Sequence, residues 1–308
     1  MAVFASVLLL GCGQPAEILK TADQTGPTCL PTPADNLPWA QFHEQPITVF
    51  PYMATYGACG KTLIYVAARH QADARTPTHQ LVIRAFKSFN PGPGLVLVEG
   101  YVSTAINQPA ELLRKADLEE GQPSDSEALL AIRTAHQMGG DFRGAEAPDD
   151  YSLPLLLPLG FDAHDQMNFH ILRSIERWMR EDQLTDHREL NLADHIERVN
   201  AAMAPAVRDA LTAPLSVQGF VAWYEAMNGV SFADGYQPED AYFTHPRFNR
   251  RSNDLARAVA DIRDRHIVEV IADSLQRHEK IIVVYGGGHH LIHAKALEHA
   301  LGPPKITR

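Results

Sequence analysis

The chain has 308 residues, of which 45% are hydrophobic and 21% are charged, and its formal net charge is -10. This composition is typical of a soluble globular protein, and the length is sufficient for one large α/β domain or two small ones. The acidic balance, and the lack of a Lys/Arg-rich run interleaved with aromatic residues, argue against a nucleic-acid partner.

The N-terminal segment is apolar and ends at Cys12. Residues 9–12 read LLGC, which resembles the cleavage site of a bacterial lipoprotein signal peptide. The resemblance implies that residues 1–11 are a signal peptide and that a lipid on Cys12 anchors the protein to a membrane. The residue after Cys12 is Gly13 and not aspartate, and in Gram-negative cells this favours transfer of a lipoprotein to the outer membrane. The expected location is therefore the outer membrane of the cell envelope, facing the periplasm. An ordinary apolar N-terminus is the alternative.

Residues 12–45 are rich in Pro, Thr, Gly and Asp, and they predict a tether followed by an irregular lead-in. The two cysteines other than Cys12 are Cys29 and Cys59. An exported chain enters an oxidising compartment, so we expect these two residues to form a disulfide. Two free thiols are the alternative.

The remaining chain, residues 46–308, alternates between strand-like and helix-like segments. Apolar and β-branched runs predict strands at residues 47–54, 62–68, 95–98, 142–145 and 281–284. Amphipathic periodicity and capping residues predict helices at residues 78–89, 124–138, 173–180, 192–211, 252–278 and 294–301. This alternation predicts a single α/β domain with a central mixed or mainly parallel sheet flanked by helices. The mostly helical stretch at about residues 163–228 is predicted to be an insertion or cap.

Titratable side chains follow or end three of the predicted strands. His70 follows the second strand, Glu99 ends the third, and His289 and His290 follow the last one. Ligands of open α/β sheets bind at the carboxyl ends of the strands, so we expect His70, Glu99 and His289 to converge on one cleft. Imidazole and carboxylate groups together suit a divalent metal or a metal-free acid–base pair. Taken singly, each could instead be a structural side chain.

The three glycines at residues 286–288 permit other interpretations of the segment between the last predicted strand and the last predicted helix. They could simply let a helix pack closely, or they could form a phosphate cradle, although the run lacks the glycine spacing of known phosphate loops. An HExxH zinc site is excluded because His290 occupies the position of the glutamate.

The motifs at these strand ends resemble those of the TraB/Tiki-like family, which is related to erythromycin-esterase and ChaN-like proteins. That family carries two GxxH motifs. The late one ends here at His289 or, one residue later, at His290. The early one ends at His70, with Ala67 where the family has glycine, and the run LVLVEG matches the family's glutamate segment through Glu99.

Further positions extend this resemblance, which runs from about residue 63 to residue 291. Glu127 and Glu146 match the family's helical glutamate and its following acidic strand end. Arg263 and Arg265 lie on the helix before the last strand, where the family has its arginine. The resemblance implies a compact α/β fold and, in the Tiki branch, metal-dependent peptidase activity. The expected metal ligands are His70, Glu99, His289, His290 and Glu146.

The resemblance and the residue chemistry together predict a metal-dependent hydrolase of peptidase or esterase type, acting on a small-molecule or peptide substrate. A divalent ion such as Mn, Co or Zn would lower the pKa of a bound water and polarise a carbonyl group. Glu127 or Glu146 could serve as ligand or base, and Arg263 or Arg265 could hold an oxyanion. The expected catalytic residues are Glu99, His70, His289, Glu127, Arg263 and Arg265.

A different class of function is also compatible with the resemblance, because ChaN-like lipoproteins bind haem. A histidine together with Tyr101, Tyr285 or Met167 could ligate iron in a haem- or ligand-binding lipoprotein without catalysis. A scaffold with neither activity is a third interpretation, motivated by Ala67.

Overall fold

The computed structural model describes residues 28–46, 48–70, 76–89, 92–103, 108–118, 120, 126–184, 192–203, 205–242 and 249–308. The predicted signal peptide at residues 1–11, Cys12 and the part of the tether up to residue 27 lie outside these described residues.

One mixed sheet forms the centre of the fold. Its strands are β1 (Tyr52–Ala58), β2 (Lys61–Ala68), β3 (Leu95–Val102), β4 (Asp141–Glu146), β5 (Lys280–Gly286) and β6 (Lys305–Thr307). Across the described residues the strand order is β4-β3-β5-β2-β1-β6. β4, β3, β5 and β2 are parallel, whereas β1 is antiparallel to both β2 and β6. The carboxyl ends of the four parallel strands therefore meet at one edge of the sheet.

Helices cover both faces of this sheet. The α-helices of the described residues are α1 (Pro77–Lys87), α2 (Gln108–Leu118), α3 (Glu127–Gln137), α4 (Asp149–Leu156), α5 (Ala163–Leu184), α6 (Leu192–Ala202), α7 (Pro205–Ala210), α8 (Val217–Asn228), α9 (Phe232–Gly235), α10 (Arg251–Arg277) and α11 (Gly287–Leu301). One apolar core lies between the sheet and α1–α3, and a second lies between the sheet and α10–α11. Because successive side chains of a strand point to opposite faces, both faces of β3 and β5 must be apolar, which explains the runs LVLV and IIVV.

The middle of the chain builds a helical region with its own core. Side chains from α4–α8 pack with the first half of α10, and Phe220 and Tyr224 are fully buried there. The predicted α/β fold with a helical insertion is therefore confirmed. The segment predicted as one helix at residues 192–211 is two helices, since Pro205 lacks the N–H group that a continuing helix needs.

The first strand differs in position from its prediction. β1 begins at Tyr52 and continues to Ala58, whereas the predicted strand spanned residues 47–54. The turn of the β1–β2 hairpin is instead formed by Cys59 and Gly60, whose φ angles are 55° and 73°. Positive φ at both central residues is the geometry that two-residue hairpin turns favour, so the strands extend further toward the turn. Helices α2, α4 and α9 and strand β6 were not predicted.

The described part of the lead-in is integrated into the fold. Residues 28–46 include two short 3-10 turns, Pro33–Asp35 and Trp39–Glu44, which lie against α10 and α11. The Leu37 N–H donates to the Ile292 carbonyl at 2.9 Å. Trp39 is only 3% exposed. This segment therefore forms part of the wall around α11.

Candidate functional site

The carboxyl edge of the sheet brings together the three side chains expected to converge. His70 follows β2, Glu99 lies in β3, and His289 lies in the first turn of α11 directly after β5. The His70 Nε2 atom is 3.4 Å from Glu99 Oε2, and the His289 Nε2 atom is 3.7 Å from Glu99 Oε1. Each oxygen of one carboxylate thus faces a different imidazole.

A glycine leaves space for the cluster where β5 passes into α11. The Gly286 N–H donates to Glu99 Oε2 at 2.5 Å. A Cβ atom at this position would lie 2.8 Å from His70 Nε2, closer than side-chain carbons normally approach. Gly286 therefore both orients the Glu99 carboxylate and leaves room for the imidazole.

A carboxylate lies behind each of the two imidazoles. His70 Nδ1 is 2.6 Å from Glu127 Oε1, and His289 Nδ1 is 2.6 Å from Asp264 Oδ1. A carboxylate that accepts the Nδ1 proton fixes the tautomer, orients the ring and leaves the Nε2 lone pair available to another group. Both Nε2 atoms can therefore bind a metal ion or accept a proton from a group beside Glu99.

Asp264 is a site residue that the sequence analysis missed, together with His293. Asp264 Oδ1 also lies 2.7 Å from His293 Nε2, and Asp264 Oδ2 accepts a bond from the Trp39 indole N–H at 2.5 Å. The sequence pattern could have identified Asp264, because this carboxylate continues the buried side of α10 three residues before Ile267. His293 lies one helical turn after His289, a spacing that places both rings on the same side of a helix.

Arg263 connects the carboxylates and His289. Its Nε and Nη2 atoms donate to the two oxygens of Glu146 at 2.6 and 2.5 Å. Nη2 also donates to Glu99 Oε1 at 3.0 Å, and Nη1 donates to His289 Nε2 at 2.8 Å. Because Nη1 donates, His289 Nε2 is the acceptor and its ring is neutral in this arrangement. All three nitrogens of Arg263 are engaged inside the cluster.

The electrostatics of the cluster favour ionised carboxylates. Burial alone would raise the pKa of Glu99, but electrostatic interactions with His289, Arg263 and His70, together with the Gly286 N–H bond, hold that pKa below its ordinary value. In the same way, burial of Asp264 is outweighed by the two imidazoles bonded to it, and its pKa is lowered strongly.

The charge of His70 is set by its neighbours. The hydrogen bond with Glu127 raises the pKa of His70 above its ordinary value, although partial burial opposes this. Four carboxylates contact the cluster, and the Arg263 charge alone does not balance them, so further positive charge is favoured here. These carboxylates are Glu99, Glu127, Glu146 and Asp264.

A buried group of three potential ligands lies at the back of the site. Asp264, His289 and His293 each offer one ligand atom, and these atoms lie within 4.8 Å of one another, so the group could hold a metal ion. Its atoms are already joined by the hydrogen bonds of 2.6 and 2.7 Å to Asp264 Oδ1. His293 Nδ1 lies 3.2 Å from the Tyr65 hydroxyl. The geometry of this group is that of a satisfied hydrogen-bond network.

His290 does not join the cluster, contrary to its expected role as a metal ligand. It is 3% exposed, and its Nδ1 and Nε2 atoms lie 2.6 and 2.9 Å from the hydroxyl groups of Tyr52 and Tyr56. Burial, followed by the nearby His293, lowers the pKa of His290 to about 3. Both nitrogens are engaged within the core, so His289 is the histidine of the late GxxH motif that faces Glu99.

Arg265 also lies apart from the cluster. Two residues along an α-helix turn a side chain by about 200°, so Arg265 points away from the side of α10 that carries Arg263. It is exposed and pairs with Glu269, the two atoms Nε and Oε1 being 3.2 Å apart. The expected oxyanion role therefore does not fit Arg265.

The cysteines lie outside the cluster, whereas Tyr285, one of the residues named for haem, lies next to it, with its ring 5.9 Å from the His289 ring, centroid to centroid. Cys29 and Cys59 form a disulfide, with a Cα–Cα distance of 5.7 Å. Met167 is buried in the core of the helical region, and Tyr285 is buried beneath α10 and α11. Tyr101 packs at the border of the core on the opposite face. Haem binding stays a prediction.

Among the described residues, no helix has both the length and the apolar character that crossing a membrane requires. In comparisons with known proteins, no family model, no curated protein and no solved structure matches this chain.

Proposed function

We propose that this chain is a TraB/Tiki-like, metal-dependent hydrolase of peptidase or esterase type, and that His70, Glu99 and His289 hold the ion. One observation carries the proposal. Two imidazoles, each backed by a carboxylate at Nδ1, direct their Nε2 atoms at the two oxygens of Glu99. This is the arrangement by which proteins orient histidines toward a metal.

The donor distances are compatible with this assignment. Ligand atoms around a tetrahedral ion, with bonds of about 2.1 Å, lie roughly 3.4 Å apart. The distances of 3.4 Å from His70 Nε2 to Glu99 Oε2 and 3.7 Å from His289 Nε2 to Glu99 Oε1 are each close to that spacing, but they end on different oxygens, so an ion shared by all three residues requires a small movement of these side chains. The 2.6 and 2.7 Å contacts of Asp264 in the buried group are hydrogen bonds. Imidazole nitrogen with carboxylate oxygen suits Zn, Co or Mn.

The bound ion, His70 and Arg263 would have different roles in hydrolysis. A bound divalent ion would supply a water of lowered pKa and polarise a carbonyl group. His70 Nε2 would bind the ion, and the Glu127 carboxylate that accepts the Nδ1 proton would keep the ring oriented for this. Arg263 neutralises Glu146 and holds Glu99 in place, and its Nη1 atom must leave His289 Nε2 when that nitrogen binds an ion.

That last contact favours a second candidate, a metal-free hydrolase of the same bonds. In it, His70 acts as the general base, and Arg263 keeps its bond to His289 throughout. The two candidates differ in their sensitivity to chelators.

Metal content and activity together test the proposal. Purified protein is dialysed against Mn, Co or Zn, analysed for bound metal, and assayed on a panel of amide and ester substrates. We expect about one ion per chain, and metal-stimulated hydrolysis that a chelator removes. Glu99→Gln should lose both the ion and the turnover, while the control Glu298→Gln, an exposed position on α11, should keep both.

One further variant separates the two possible ion positions. His293→Gln keeps an N–H donor for Asp264 but removes an imidazole, so it should still bind the ion. Loss of the ion in His293→Gln but not in Glu99→Gln would place the metal in the buried group. Chelator-resistant hydrolysis would establish the metal-free candidate, and absence of both ion and hydrolysis would refute the proposed function.

A further inference from the structure

Two cavities open beside the cluster and share three lining side chains, Arg173, Val259 and Arg263. The first, of about 230 Å³, is polar and borders the cluster through Gly100 and Glu146. The second, of about 210 Å³, is lined mainly by apolar side chains, among them Phe169, Leu172, Ala256 and Ala260. A molecule that filled both would have one polar and one apolar part.

Arg173 of α5 stands where the two cavities meet. Its side chain is exposed, and among the described residues it has no hydrogen-bond or ion-pair partner. Partial loss of water around the guanidinium, followed by the charge of Arg263, lowers the pKa of Arg173, while Glu146 and Asp149 oppose this. Unlike Arg263, Arg173 therefore presents an unused fork of N–H donors to the cavities.

Gln166 supplies a second polar group that lacks a partner. It is 1% exposed, and it lines the polar cavity together with Arg173. Its Nε2 atom donates to the Asp149 carbonyl at 3.1 Å, which fixes the amide orientation, whereas Oε1 has no hydrogen-bond partner in the described structure. A buried acceptor is costly when unmatched, and a small rearrangement of the cavity wall would let this oxygen accept from an N–H or O–H group of a ligand.

We propose that these cavities are the substrate subsite of the hydrolase, and that Arg173 binds a free carboxylate of a substrate whose adjacent side chain is apolar. The substrate class is an N-acyl amino acid or the C-terminal residue of a peptide. The apolar side chain occupies the cavity beside Phe169 and Leu172, and an N–H group of the substrate donates to Gln166. This inference rests on the proposed hydrolase function and specifies its substrate.

The charge around the cavity selects a carboxylate over a phosphate group. Arg173 is the single unpaired guanidinium among the described residues that line the polar cavity, and Glu146 and Asp149 lie in the same wall. A monoanionic carboxylate matches one bidentate arginine, whereas a dianionic phosphate would bring a second negative charge, unmatched by Arg173, close to Asp149.

Direct binding tests the subsite, with a chelator present so that metal-dependent hydrolysis does not consume the probes. The probes are N-acetyl-L-leucine and its carboxamide, N-acetyl-L-leucinamide, titrated into the full-length protein by calorimetry. We expect the carboxylate to bind roughly tenfold to a hundredfold more tightly than the amide. Arg173→Gln should abolish this preference, and the control Arg277→Gln, an exposed position on α10, should retain it. If Arg173→Gln fails to fold, Arg173→Lys replaces it and should weaken the preference, because lysine keeps the charge but lacks the fork.

Three results would overturn the subsite: no binding of the carboxylate, equal binding of the two probes, or an unchanged preference in the Arg173 variant. The hydrolase proposal is tested by a separate measurement, that of metal-stimulated hydrolysis. Metal-stimulated hydrolysis with no preference for free carboxylates would reject the subsite alone, whereas carboxylate binding that depends on Arg173 without hydrolysis would reject the hydrolase alone.

Discussion

His289 and His290 are adjacent in α11, yet they lie in different chemical environments. Successive side chains of a helix are turned by about 100°, so only one of two neighbouring residues can face the carboxyl edge of the sheet. His289 faces Glu99 and Arg263, whereas His290 is enclosed by tyrosine hydroxyls. The motif spacing permitted either histidine, and only the packing of β1 against α11 distinguishes them.

The ion pair of His70 with Glu127 makes a pH-dependent prediction for the protein in chelator. The Glu127 bond raises the folded-state pKa of His70 above 6.5, so the stabilisation is complete below pH 6.5 and is lost as the pH rises through the raised value. An NMR titration of the His70 ring should therefore show a midpoint above 6.5. Glu127→Gln should lower that midpoint, because it removes the carboxylate.

The control for this titration is Glu111→Gln, which changes an exposed carboxylate on α2 and should leave the His70 midpoint unaltered. A wild-type midpoint at or below 6.5, or a midpoint unchanged by Glu127→Gln, would show that this bond does not form in solution.

At the scale of elements, the sequence was most informative where a segment is buried on both sides. β2, β3 and β5 have both faces covered, so each appears as a continuous apolar run. β6 has three residues, two of them exposed, and it carries no such pattern. Its pairing with β1 depends on a contact between the two ends of the domain, which local periodicity does not record.

The disulfide adds a covalent link to the contacts that hold the lead-in segment against the domain. Cys29 and Cys59 are 30 residues apart, and a loop of that length corresponds to a stabilisation of about 3–4 kcal/mol. Cys59→Ser should lower the free energy of unfolding by about that amount in denaturant titrations without reductant. Hydrogen exchange should also become faster at the Leu37 amide, which bonds to Ile292.

Reduced wild-type protein is the matched control, since it should unfold at the same denaturant concentration as Cys59→Ser. Non-reducing peptide mapping that finds both thiols free in exported protein, or equal stability of the variant and the oxidised wild type, would contradict the prediction.

At the scale of the whole molecule, topology made the convergence of His70, Glu99 and His289 predictable, because strand ends of one parallel sheet share an edge. The same reasoning could not find Asp264 or Arg173. Both lie on helices that contribute to the site only through tertiary packing, since α10 packs beside the sheet and α5 packs against α10. Their roles depend on long-range contacts, and their immediate sequence neighbours are those of ordinary amphipathic helices.

The attachment of the whole molecule to a membrane is predicted to depend on Cys12. The apolar run that ends in LLGC at residues 9–12 implies cleavage before Cys12 and lipid modification of its thiol. Wild-type protein expressed with its leader in a Gram-negative host should therefore sediment with membranes and resist salt washing, whereas Cys12→Ser should be recovered in the soluble fraction. Cys59→Ser is the control for loss of a cysteine as such, and it should stay with the membranes. If wild type and Cys12→Ser fractionate identically, the lipid anchor is refuted.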